Sequence, residues 1–140
     1  KIISCNKKNL IQMVLDIDHY PEFVPWCLDG KIWEKNETKG FIEIKADLKV
    51  GKKFINETYS SLVLYSKNKD LISVTNISGP LKYLKNEWKF KEINNKTELN
   101  FSIDFELQNN FLNIIMKNYF NFGLNKITDA FEQRAIKLFK

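Results

Sequence analysis

The segment Leu84-Lys85-Asn86-Glu87-Trp88-Lys89-Phe90-Lys91-Glu92-Ile93-Asn94-Asn95-Lys96-Thr97-Glu98-Leu99-Asn100-Phe101-Ser102-Ile103-Asp104-Phe105 decides the fold. Apolar residues recur at alternate positions on both sides of Asn94-Asn95, and asparagine tolerates the positive φ that a two-residue hairpin turn requires. Taking that pair as the turn sets Phe90 opposite Leu99, Trp88 opposite Phe101, Asn86 opposite Ile103 and Leu84 opposite Phe105. The other face then sets Lys91 against Glu98 and Lys85 against Asp104. Each such pair contributes about 0.2–1 kcal/mol, so a single register satisfies both faces. The segment reads as an antiparallel hairpin with one apolar face.

Upstream, the alternation from Ile42 to Val50 is unbroken, with Ile44, Ala46 and Leu48 on one face and Glu43, Lys45, Asp47 and Lys49 on the other. That is a half-buried antiparallel strand. Residues 54–65 and 70–77 are rich in β-branched and aromatic side chains and read as further strands. Nearer the start, residues 1–4 read as the end of a strand, and Asn6 caps a short helix with Leu10, Met13, Val14 and Ile17 on one face. Pro21 ends that helix, because proline disfavours helical geometry in the residue before it. Phe23 and Val24 then lie between Pro21 and Pro25 in a corner closed by Trp26 and Cys27.

Downstream, the last 30 residues read as one long helix capped by Asn110. At 100° per residue, Leu112, Met116, Tyr119, Phe120, Gly123, Ile127, Ala130, Phe131 and Leu138 form a continuous stripe. Gly123 costs about 1 kcal/mol in a helix interior, so a close approach or a kink is expected there. Phe111, Ile114, Ile115 and Phe122 lie off the stripe, so loops cover them or they dock on a membrane or partner. The fold class is α+β: a helical corner, an antiparallel sheet and a long helix across it.

The 140 residues suit a single domain spanning 1–140. At 44% hydrophobic and 14% aromatic, with eleven Phe, the chain can bury a core and is not a disordered one. One histidine and two cysteines, Cys5 and Cys27, do not make a zinc site, and reduced thiols are the expectation over a disulfide. The net charge of +5 permits an anionic partner such as phospholipid or RNA without demanding one. Lysine outnumbers arginine 21 to one, and asparagine and isoleucine each occur sixteen times. These three residues share AT-rich codons, so the bias reads as genomic. It suits a reduced-genome bacterium, or an organelle-targeted eukaryotic protein read without its presequence. No run of 18 apolar residues exists to span a membrane, and no signal-peptide pattern is visible; the start at Lys1 suggests a few residues upstream.

Catalytic patterns are sparse. His19 is the histidine any Ser/His or Cys/His arrangement would need, and an exposed or capping role accounts for it. No phosphate-binding glycine loop or zinc-protease pattern occurs. Asp16 and Asp18 flank a helix end, where solvation is the ordinary explanation. The chain reads as a binder, not an enzyme.

Four segments in order resemble the coenzyme Q-binding, START-like family: Tyr20-Pro21-Glu22-Phe23-Val24-Pro25-Trp26-Cys27, Ala46 to Gly51, Gly79-Pro80-Leu81-Lys82 followed by Trp88-Lys89-Phe90, and Ala130-Phe131-Glu132-Gln133-Arg134-Ala135. The resemblance covers almost the whole chain, departing at Leu81, where phenylalanine is more usual, and more loosely at residues 55–58. It implies a helix-grip fold, a curved sheet wrapped around the C-terminal helix with an apolar cavity between. Mitochondrial members bind coenzyme Q and support respiratory electron transfer; bacterial members include a ribosome-association toxin that binds the large subunit.

For this chain the resemblance implies ubiquinone or a similar isoprenoid lipid as bound ligand, with no separate cofactor. It implies a cytoplasmic protein, peripheral at the inner membrane where it meets its lipid. The ligand-facing candidates are Phe23, Trp26, Leu48, Asn86, Trp88, Phe90, Phe101, Phe105, Met116, Tyr119, Phe120 and Arg134. Periodicity alone leaves open whether these residues, with Ile103, line a cavity or fill a core. Asn86, inward among apolar neighbours, needs a partner: a quinone carbonyl or a backbone group. Arg134 on the helix stripe calls for a carboxylate or a lipid head group. The alternative partner, the large ribosomal subunit, would meet the outward lysines Lys45, Lys49, Lys85, Lys89 and Lys91, with aromatic side chains expected to point inward.

Overall fold

The computed structural model describes residues 1–52 and 55–139, without the side chains of residues 52, 55, 111, 112, 115, 116 and 118–124. In chain order it contains β1 (Ile2–Ile3), α1 (Lys7–Leu15), a 3-10 turn (Ile17–Glu22), β2 (Cys27–Glu37), β3 (Phe41–Lys52), β4 (Ile55–Ser66), β5 (Leu71–Ser78), β6 (Leu81–Ile93), β7 (Lys96–Leu107) and α2 (Asn110–Leu138). The strands form a seven-stranded antiparallel sheet in the order β1-β7-β6-β5-β4-β3-β2. The fold is α+β, with the sheet gripping the C-terminal helix.

The β6–β7 hairpin has the register set by its turn: Phe90 pairs with Leu99, Trp88 with Phe101, Asn86 with Ile103 and Leu84 with Phe105. Asn94 and Asn95 sit at φ 47° and 67°, the left-handed geometry of a turn whose twist matches its strands. Lys85 lies opposite Asp104, whose carboxylate also accepts a hydrogen bond from Tyr83 Oη at 3.0 Å.

Asn6 caps α1, its side chain accepting from the Asn9 N–H at 2.8 Å. The helix stops at Leu15, however, and Pro21 lies inside the following 3-10 turn rather than ending α1. The Asp16 N–H bonds back to the Met13 carbonyl at 3.2 Å, so the chain tightens before proline is reached. At α2 the Asn113 N–H bonds to the Asn109 carbonyl at 2.9 Å, which moves the cap one residue ahead of Asn110. Leu138, placed on the buried stripe from the sequence, is 51% exposed. The expectations for Leu112, Met116, Tyr119, Phe120, Gly123, Phe111, Ile115 and Phe122 concern side chains outside the described residues; Ile114 is exposed.

The edge strand β2 has no counterpart in the sequence reading. It is exposed along most of its length and irregular at two points, between Cys27 and Asp29 and between Ile32 and Glu34, so no period-two pattern marks it.

The main core gathers α1, the inner sheet face and the C-terminal half of α2, with Ile3, Leu10, Ile44, Ile72, Leu99 and Phe131 almost fully buried. Buried Thr97 donates to the Cys5 carbonyl at 2.8 Å and fastens the β1–α1 link to β7. A second cluster of Leu81, Phe105 and Leu107 lies apart from it.

Candidate ligand-binding cavity

Between the concave sheet face, the 3-10 corner and α2 lies a cavity of about 190 Å³. Its floor comes from five adjacent strands, through residues such as Leu48, Ser61, Val74, Trp88 and Phe101. Val14, Ile17, Tyr20, Val24, Ile127 and Phe131 close it from the helical side, and partly exposed Pro25 and Trp26 stand at its edge. An apolar cavity of roughly 150 Å³ takes up benzene, so this one has room for a ring.

The corner is held against the sheet by contacts specific to its sequence. Tyr20 Oη donates to the Val14 carbonyl, and burial pushes the phenol well above its ordinary range. Asp18 accepts the Ile32 N–H at 2.8 Å, tying the 3-10 turn to β2. A Cβ on Gly30 would stand 2.4 Å from the Ile17 carbonyl oxygen, so only glycine permits this approach. Trp26 adopts φ 63°, a left-handed geometry uncommon outside glycine, and its carbonyl accepts the Gly51 N–H at 3.0 Å. The Cys27 thiol, facing the cavity, is pushed up to about 11 by burial and stays protonated at neutral pH. Cys5 and Cys27 are free thiols.

Outside the cavity the corner carries a charged latch. Arg134 Nη2 donates to Glu22 Oε1 at 2.7 Å, and the guanidinium lies 5.1 Å from the Phe23 ring centroid. The bond from Arg134 holds the Glu22 carboxyl below the usual range. His19 Nδ1 lies 2.8 Å from Asp16, and that hydrogen bond raises the imidazole above its ordinary value.

Asn86 is 8% exposed and lines the cavity. Trp88 Nε1 donates to Asn86 Oδ1 at 2.8 Å, and Asn86 Nδ2 donates to the Ser102 carbonyl at 2.8 Å. Indole nitrogen is a donor only, so its bond fixes which amide atom is the oxygen. Asn86 is therefore held inside the fold by a backbone group and an indole.

The structure brings Trp26, Leu48, Asn86, Trp88 and Phe101 together at the cavity, along with Ile103. Phe23, Phe90, Phe105 and Arg134 lie elsewhere. Phe23 packs edge-on against Phe131 at 4.9 Å, Phe90 is buried in the main core, and Phe105 belongs to the second cluster. Arg134 is taken up by Glu22. The side chains of Met116, Tyr119 and Phe120 lie outside the described residues. Sequence reading missed Tyr20, Cys27, Ser61, Val63 and Phe131 as lining residues. Tyr20 and Cys27 sit within the motif already singled out; Ser61 had no signal beyond its place in a strand.

A sheet gripping a helix around an apolar cavity is the helix-grip architecture of START-like proteins, folds suited to enclosing a lipid. The chain belongs to the polyketide cyclase/dehydrase and lipid transport family, whose pattern matches residues 11–132. It is 34% identical to the ribosome association toxin of Rickettsia prowazekii, across 100% of this chain and 95% of that protein. It is 29% identical to the mitochondrial coenzyme Q-binding protein of Dictyostelium discoideum, across 91% of this chain and 62% of that one. The solution structure of an 18 kDa protein of Caulobacter crescentus superposes with a TM-score of 0.80 at 28% identity, covering 99% of this chain and 93% of that one.

Proposed function

We propose that this protein binds a hydrophobic isoprenoid ligand, ubiquinone, in the cavity and carries it in support of respiratory electron transfer. The observation behind this reading is the apolar cavity itself: about 190 Å³, walled by aliphatic and aromatic side chains, with Asn86 set among them. Such a site takes an apolar body bearing a few hydrogen-bonding groups. The ligand is cargo rather than substrate. His19, the residue a Ser/His or Cys/His arrangement would require, has a side chain 54% exposed and lies outside the cavity lining, paired to Asp16. The protein acts in the cytoplasm and meets the inner membrane peripherally to exchange its lipid. No helix among the described residues is long and apolar enough to cross a membrane.

A second reading, binding to the ribosome at its large subunit, is favoured by the 34% identity to a ribosome association toxin of Rickettsia prowazekii. One surface feature goes with it. Trp33 is 48% exposed on the sheet's outer side, its ring 5.8 Å from Lys45 Nζ, so not every large aromatic points inward. Lys45 is itself paired with Glu34 at 2.9 Å, which lowers its availability to a phosphate.

Both readings are tested by incubating the purified protein with ubiquinone-loaded liposomes and, separately, with large ribosomal subunits. The lipid reading expects quinone to leave the liposomes with the protein in near-stoichiometric amount. Co-sedimentation with subunits and no quinone transfer would reverse the order.

A further inference from the structure

We propose that Ser61 is a polar anchor for the ligand's head group, acting with the second amide hydrogen of Asn86. This rests on the lipid-binding reading and specifies what the cavity recognises. Ser61 is 6% exposed and lines the cavity, and its hydroxyl has no partner among the described residues. Its neighbour Ser60 shows the ordinary alternative: its hydroxyl donates to Asp47 Oδ1 at 2.6 Å. A hydroxyl that lines the cavity without a protein partner is available to a bound acceptor.

Asn86 adds the second donor. With Oδ1 taken by Trp88 and one Nδ2 hydrogen by Ser102, a second Nδ2 hydrogen remains without a partner among the described residues. The register places the two groups on one face. Val63 pairs with Val74 and Val74 with Asn86, while Ser61 lies two residues before Val63 on β4. Two strand spacings across and one two-residue step along put their Cα atoms about 12 Å apart. Two oxygens on opposite edges of a six-membered ring lie about 5 Å apart, and a hydrogen bond at each end brings the span to about 11 Å. That Cα spacing is on the scale of a ring oxygenated on opposite edges, lying over Val63 and Val74. The cavity exceeds the benzene-binding size by only a modest margin, so a ring fills it and a long isoprenoid tail runs out past Pro25 and Trp26.

The test uses the whole protein and two probes: a short-tailed ubiquinone and a hydrocarbon of the same tail without the ring. Binding is read from tryptophan fluorescence, since Trp26 and Trp88 line the cavity. Ser61→Ala should weaken quinone binding about 3–10-fold while leaving hydrocarbon binding and the melting temperature unchanged. Ser61→Thr, which keeps the hydroxyl, should bind quinone within about twofold of the native protein. Equal quinone affinity in Ser61→Ala, or an equal loss for both probes, would overturn the anchor and leave the lipid reading standing. Failure of the unmodified protein to bind quinone would remove that reading and the anchor together.

Discussion

The concave face of the sheet is filled on one side and open on the other. Around Phe131 the rings of Tyr20, Phe23 and Trp88 meet it edge-on at 5.4, 4.9 and 5.0 Å, and Phe131 is 1% exposed. Around Leu48 and Ser61 the same alternating strands face about 190 Å³ of cavity. Both regions obey one rule at the level of pattern, apolar inward and polar outward. They differ in whether the volumes opposite each strand residue add up to native packing density. Phe131 supplies that volume on one side. On the other, the Pro21–Trp26 corner, anchored to the sheet by the Gly30 contact and turned by the left-handed Trp26, leaves space.

The contrast can be broken most forcefully at Phe131. Phe131→Ala removes the ring on which three others converge and should cost about 3–5 kcal/mol in urea unfolding. Asn86→Leu should cost about 2–3 kcal/mol, because it leaves Trp88 Nε1 and the Ser102 carbonyl without their partner. Leu48→Ala, on a wall already facing space, should cost only about 1–2 kcal/mol in the same assay. A Leu48→Ala loss equal to that of Phe131→Ala would mean that the two regions are packed alike.

How far the sequence revealed this division depends on which physical quantity governs each part. The β6–β7 register was legible because Asn94-Asn95 and two facing alternations allow one answer. The α1 cap was legible because Asn6 offers a side-chain acceptor just before the apolar stripe. The edge strand β2 was not, since exposure on both faces and two irregularities erase its period. Of the candidate site, the inward facing of Leu48, Asn86, Trp88 and Phe101 followed from alternation, while the cavity they line was implied only by the family resemblance. Phe90 and Phe105 share that facing yet lie beyond the cavity, because period two fixes a face and not a position along it. Arg134 was placed on the buried stripe, but its partner Glu22 is 112 residues away and only the fold brings them together.

Two smaller effects sharpen the comparison. Ala46→Phe, at a 2% exposed position lining the cavity, should raise stability by about 0.5–2 kcal/mol by filling the space. The corner should also respond weakly to pH. The raised value of His19 means its contribution is complete below about 6.5 and fades as pH rises through the folded value. The lowered value of Glu22 means its contribution is complete above about 4.5 and fades as pH falls through the folded value. Hydrogen-exchange protection of the Phe23 and Val24 amides, which bond to the Tyr20 carbonyl, should therefore be greatest between those limits. His19→Gln should flatten the upper side of that profile.

The most direct test of the central claim is to purify native protein and Ala46→Phe side by side from the same cells, extract both with solvent and count quinone per chain by mass spectrometry. The account predicts near-stoichiometric quinone from the native protein and none from the folded variant. Equal quinone from both, or none from the native protein, would contradict it.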